Sequence, residues 1–336
     1  MKTRYLIFIC VLLFLLVGCK SNKPEVVVYT SVDQIYSEPF FIQFEKDTGI
    51  KVLANYDVEA SKTTGLVNKL IAEKDNPIAD VFWNGEFSQT IRLKEEGILQ
   101  PYVSPSAEHI PSKYKDTEGY WTAFGGRARV LIINTDLVKE ANYPGSIYDL
   151  SNKDKPLSAT MAKPLFGTTA THAAALYALL GSDEAQLYYD EVLQSDTRIV
   201  DGNSVVRDLV ANGELAYGIT DTDDGIGALK KNKPVKLIFP DQGPDQMGTL
   251  IIPNTVAMIK GAKNIEAAQL FMDYILSLES EEKLIEMDWC QMATRKVDIA
   301  SPYIDINQVK TIDVNLEDIY GSLEDSQHNL KSMFMK

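Results

Sequence analysis

Three short stretches gather side chains that could hold a charged group. Arg127 and Arg129 lie two apart in the strand-like run 127–134, so both leave the same face. They either bind an anion or neutralise neighbouring carboxylates. Gly167-Thr168-Thr169-Ala170-Thr171 directly precedes an apolar helical run. The N–H groups that open a helix are unpaired and favour negative charge, so Thr168 and Thr169 mark either an anion seat or a helix cap. His172 follows in the first turn, as a ligand or as a packed side chain. Residues 220–225 set Asp221, Asp223 and Asp224 straight after a strand. Carboxylates are hard oxygen donors, suited to Ca²⁺, Mg²⁺, Mn²⁺, Fe³⁺ or a cationic amine. The same residues are equally suited to capping a short helix that runs toward Lys230.

Signatures of catalysis are scarce. The chain has three histidines, no Gly-x-Ser-x-Gly elbow and no phosphate-binding Walker loop. Cys290, in Asp288-Trp289-Cys290-Gln291, has no obvious base partner and reads as a buried small hydrophobe. Tyr188-Tyr189 lies inside a helical run and reads as packing. Binding is favoured over chemistry, so the chain is expected not to be an enzyme. The rivals are a surface-anchored hydrolase using paired carboxylates as acid and base, and a scaffold that needs no cleft.

The elements that position these residues alternate. Residues 26–30 form a continuous apolar run, as in a strand buried on both faces of a parallel sheet. Pro39 opens a helix carrying Phe40, Phe41 and Phe44, and Gly49 closes it. Strands over 50–56 and 79–83 alternate with helices over 61–74 and 86–96, which predicts a doubly wound α/β lobe. Ligands of such sheets bind at the carboxyl ends of strands, here the loops after Tyr29, Asn55 and Trp83. After a loop-rich stretch over 101–119 the alternation repeats as a second lobe. It has helices over 171–180, 183–194 and 204–212, and strands over 215–220, 235–239 and 248–252. A helix over 265–278 follows.

Composition fits that picture. The 336 residues, 45% hydrophobic and 24% charged, describe a globular chain about two domains long. With 33 basic against 47 acidic residues the net charge is −14, which excludes a nucleic-acid binder. Lys2 and Arg4 precede an apolar run over 5–17 that is shorter than the roughly 20 residues needed to cross a bilayer, as in a secretory signal. Leu16-Val17-Gly18-Cys19 looks like a bacterial lipobox, the other reading being an ordinary signal with a chance cysteine. On the lipobox reading, residues 1–18 are a signal peptide, Cys19 carries lipid and 19–24 is a tether. The mature protein is exported, lipid-anchored to a membrane and facing the periplasm or the outside. Cys290 is its only remaining thiol, so a disulfide within the monomer is excluded.

A family likeness rests on five stretches: Val26-Val27-Val28-Tyr29-Thr30, Phe44-Glu45-Lys46-Asp47-Thr48-Gly49-Ile50-Lys51-Val52, Ala79-Asp80-Val81-Phe82-Trp83, Gly126-Arg127-Ala128-Arg129-Val130 and Lys260-Gly261-Ala262-Lys263-Asn264. In register, they resemble the ferric-ion-type extracellular solute-binding proteins of ABC importers. The resemblance implies a two-lobed α/β periplasmic-binding-protein fold of class II type, with a ligand cleft between the lobes and closure about a hinge. Lobe 1 would cover 25–126, lobe 2 would cover 127–250, a return to lobe 1 would cover 251–300, and a C-terminal helical segment would cover 301–336. The implied partners are the permease and ATPase of an importer; no resident cofactor is expected.

The resemblance also places ligands. Ferric relatives use a tyrosine pair after a strand of the second lobe; setting residues 213–219 on that strand puts Asp223 and Asp224 there, and the tyrosines are absent. A histidine or acidic ligand after the first strand falls at Asp33, and the acidic ligand after the Ala79–Trp83 stretch falls beside Glu86. Asn203 matches an asparagine of the family cleft, with a turn or N-cap as its other reading. The cleft would then hold Asp33, Glu86, Asp221, Asp223 and Asp224, with Asp33, Asp223 and Asp224 as metal ligands if the cargo is a cation. Ferric iron or an iron complex is the leading cargo by resemblance. The main rival is a phosphate- or phosphonate-type anion or zwitterion such as 2-aminoethylphosphonate, its ammonium on the acidic set and its phosphonate on the hydroxyl-rich helix start.

Overall fold

The computed structural model describes residues 24–57, 64–154 and 157–335. The signal, Cys19 and all of the tether but Pro24 lie outside them. The apolar run becomes β1 (Glu25–Thr30), followed by α1 (Gln34–Thr48), β2 (Lys51–Tyr56), α2 (Thr64–Ala72), β3 (Val81–Asn84), α3 (Ser88–Glu95) and the short β4 (Leu99–Gln100). β1 lies between β2 and β3, parallel to both, with Val28 opposite Ala54 on one side and Val81 on the other. The three phenylalanines of α1 bury against Trp83 and Phe271, with ring centroids 5.3 to 6.0 Å apart.

β5 (Trp121–Asn134) is the long strand that joins two sheets. The chain continues through β6 (Ala159–Ala162), α4 (Gly167–Leu180), α5 (Ser182–Gln194), β7 (Arg198–Val200), α6 (Asn203–Ala211), β8 (Tyr217–Asp221), α7 (Thr222–Lys230) and β9 (Val235–Ile238). It then runs through β10 (Ile251–Ile259), α8 (Ile265–Ile275), α9 (Leu278–Glu286), α10 (Leu316–Gly321) and α11 (Leu323–Phe334). Up to Ala128, β5 pairs antiparallel with β10 in the first sheet; from Arg129 onward it pairs with β8 and β9 in the second. Arg127 and Arg129 therefore straddle the crossing.

Just before it, the ladder slips between Pro253 and Asn254, and Gly125 and Gly126 fill the bulge. Gly125 has φ +46, and a Cβ on Gly126 would stand 2.6 Å from the Ile252 carbonyl oxygen. Below the bulge, buried Glu281 accepts from Gly125 N and Thr294 N, both at 2.7 Å, and from Arg295 Nε at 2.6 Å. Asp80 ties two of the family-like stretches together: its buried carboxylate accepts from Val27 N, Lys263 N, Asn264 N and Asn264 Nδ2 at 2.8 to 3.0 Å. Cys290 is buried beside Asn254, and burial pushes its thiol far up, as an inert packed residue requires.

Several boundaries depart from the sequence reading. α1 starts at Gln34, so Pro39 sits inside it; Ser37 Oγ, donating to Val32 O and Asp33 O, holds the first turn together ahead of the proline. β5 begins before its diglycine, because bulge hydrogen bonds to Met292 carry the ladder through. α4 begins at Gly167, so Thr168 and Thr169 belong to its first turn. Asn203 is the first residue of α6, with Gly202 at the cap.

Candidate binding cleft

A cavity of about 390 Å³ opens between the lobes at the ends of these elements. The first lobe contributes Glu86, Ser88 and Gln89 at the start of α3; the second contributes Gly167, Thr168, Ala170 and Thr171 at the start of α4. Arg127 and Ile252 come from the crossing strands, and Leu323 and Gln327 from α11. Two other cavities, of about 360 and 540 Å³, are lined in part by residues 300–311.

Of the residues predicted from sequence, Glu86, Arg127 and Thr168 line the cavity. Glu86 is occupied in part by its own helix: it accepts from Ser88 N at 2.7 Å, Ser88 Oγ at 2.6 Å and Gln89 N at 3.0 Å, closing the start of α3. Arg127 donates from Nη2 to Gly85 O at 3.2 Å, across from the first lobe, and its Nη1 lies 3.7 Å from Asp223 Oδ2. The α4 start differs from that of α3. Its cap residue, Phe166, offers no side-chain acceptor, and Ala170 N donates to Phe166 O at 3.2 Å. N–H groups at such a start have no intrahelical partner.

Behind the cavity wall, Arg129 is fully buried, with both Nη atoms bound and its Nε left without a hydrogen-bond partner. Its Nη1 donates to Asp221 Oδ1 at 2.7 Å, Asn203 Oδ1 at 3.1 Å and Thr168 Oγ1 at 3.3 Å, and its Nη2 reaches Thr169 Oγ1 at 3.4 Å. Asp221 Oδ2 in turn accepts from Thr168 Oγ1 and from Asn203 Nδ2. The network pins the first turn of α4 to β5 and β8. Asp221 stands at the cap position of α7 without capping it, because the arginine takes the carboxylate. His172 is buried in α4, and burial with the nearby Arg129 charge lowers its pKa to about 3, so it is neutral at physiological pH.

Asp221, Asp223 and Asp224 can bring one oxygen each within 4.8 Å of one another, the one such group among the described residues. Each also faces an arginine: Arg129 at 2.7 Å, Arg127 at 3.7 Å and Arg207 at 2.9 Å, respectively. The cluster that seemed uncompensated in sequence is therefore charge-balanced. Burial raises the Asp224 carboxyl to about 6, with Asp223 adding to the shift and Arg207 opposing it. Asp33 is not in that group; it is half-buried at the cap position of α1. Tyr188 and Tyr189 meet edge to face in the second-lobe core, and burial holds both phenols protonated. Sequence reasoning missed Gln89, Ile252, Leu323 and Gln327, since only long-range packing brings them to the cavity.

Residues 29–282 match the family of bacterial extracellular solute-binding proteins. The chain belongs to that family. Its relatives include iron uptake protein A1 of Synechocystis, 24% identical over 80% of this chain and 75% of that protein. They also include a putative 2-aminoethylphosphonate-binding periplasmic protein of Salmonella typhimurium, 25% identical over 82% of this chain and 81% of that protein. A Trichodesmium protein solved with iron and citrate superposes with a TM-score of 0.81 at 21% identity, covering 93% of this chain and all of that one, which establishes the two-lobed fold. As a member of the solute-binding family, the chain is the exported, substrate-capturing component of an ABC importer. Among the described residues no helix is long and apolar enough to cross a membrane.

Proposed function

We propose that this receptor captures a small solute bearing a phosphoryl or phosphonyl group, with the anion on Arg127 and the first turn of α4. The observation that carries this reading is the contrast within one cavity. The helix start offers N–H groups without an intrahelical partner beside Arg127, which stands 3.7 Å from Asp223, whereas Asp221 and Asp224 hold Arg129 and Arg207 at 2.7 and 2.9 Å. A zwitterion fits the same frame, with Glu86 facing the cavity for an ammonium. The lobes would run over 25–126 with 251–300, and over 127–250; the mature protein would be a lipid-anchored monomer delivering cargo to its permease and ATPase.

A second reading keeps ferric iron or an iron complex as cargo. It is favoured by the iron-uptake relative and by the three carboxylates within reach of one ion. On this reading Arg127 and Arg207 must release Asp223 and Asp224. Protein stripped of ligand by unfolding and refolding separates the two. A hundredfold excess over Kd of the true cargo stabilises the native state by about 2.7 kcal/mol. Inorganic phosphate and 2-aminoethylphosphonate are expected to raise the melting temperature and ferric citrate to leave it unchanged; a shift with Fe³⁺ alone, lost in Asp223→Asn with Asp224→Asn, supports iron instead.

A further inference from the structure

One wall of the cleft comes from outside the two α/β units. The C-terminal segment returns after residue 300, and α10 packs on α3 and α4, with Lys94 Nζ 2.8 Å from Glu317 Oε1 and Tyr320 donating to Glu95 Oε2 at 2.8 Å. α11 then lies along α4 and α5. Ser326 and Leu330 are fully buried on its inner side, and Phe334 meets the ring of Tyr189 at 6.0 Å. Leu323 and Gln327, one turn apart and hence on one face, line the same cavity as Arg127.

The cavity is larger than an anion alone requires. A water takes about 30 Å³ of liquid volume and pockets that enclose organic ligands run from about 300 Å³ upward. The 390 Å³ here leaves room beyond a five-heavy-atom phosphoryl group. With the anion on Arg127 and Thr168, the space that remains is bounded by Gln89, Ile252, Leu323 and Gln327. Because α11 packs on α4, whose first turn is the anion seat, wall and seat belong to one packed unit.

We propose that α11 is a ruler: Leu323 and Gln327 contact the organic substituent of the phosphorylated solute and set the length the cleft accepts. The proposal rests on the anion reading above and adds the element that selects among anions. Calorimetry on the full chain with two probes, inorganic phosphate and glycerol 3-phosphate, tests it. Leu323→Trp, which adds bulk to the α11 wall of the cavity, is expected to weaken glycerol 3-phosphate about tenfold or more while changing phosphate by less than about twofold. Gln327→Ala, at an exposed helix position that tolerates truncation, is expected to weaken only glycerol 3-phosphate, by about threefold or more. Equal effects on both probes, or none on either, overturn the ruler. If Arg127→Ala abolishes phosphate binding while both α11 variants are silent, the ruler alone fails; if the wild-type chain binds neither probe, the anion reading fails and takes the ruler with it.

Discussion

Arg129 carries a full charge with no exposed surface, and its stability rests on Asp221, Asn203, Thr168 and Thr169 closing around it. Arg129→Ala strands the Asp221 carboxylate in the interior and is expected to cost about 3–5 kcal/mol in urea-induced unfolding. Asp224 gives a prediction of opposite character. Its folded-state pKa of about 6 lies above the ordinary carboxylate value, so over the window between the two the native state holds a proton that the unfolded chain has lost. Stability therefore falls as pH rises through that window, by roughly 1–3 kcal/mol. Asp224→Asn should flatten this slope when unfolding midpoints are compared at pH 4.5 and pH 7; an unchanged slope would remove Asp224 as its source. The residue types were legible in the sequence, and so were the alternatives for each. Which alternative holds was not, because Arg207, Arg127 and Arg129 reach the three aspartates only through the packing of β5, α6 and α7.

At the scale of elements, the alternation of the first lobe was readable because β1 carries a continuous apolar run, β3 is buried throughout, and Gly49 and Gly97 end their helices with positive φ. The starts of β5 and α4 were not. A diglycine reads as a loop unless a bulge and the Met292 pairing rescue the ladder, and a Gly-Thr-Thr stretch reads as a cap until the buried arginine network draws it into the helix. Gly126→Ala tests the bulge: its Cβ would meet the backbone of the neighbouring strand at 2.6 Å, where no rotamer relieves the clash. The variant is expected to lose about 1–3 kcal/mol. A loss near zero, with the native fold kept, would mean the crossing strands can separate without cost.

For the molecule as a whole, the two-lobed architecture could be anticipated from length, alternation and family likeness, and the crossing strand places its arginines where the lobes meet. The docking of α10 and α11 across both lobes could not, since a short amphipathic segment does not encode which distant surface it covers. If the cleft receives an anion on Arg127 and the α4 start, isothermal titration of ligand-stripped protein with inorganic phosphate gives saturable one-to-one binding, and Arg127→Ala weakens it by about tenfold or more. Absence of any heat with phosphate, together with one-to-one Fe³⁺ binding that survives Arg127→Ala and disappears in Asp223→Asn with Asp224→Asn, would contradict this placement of the anion.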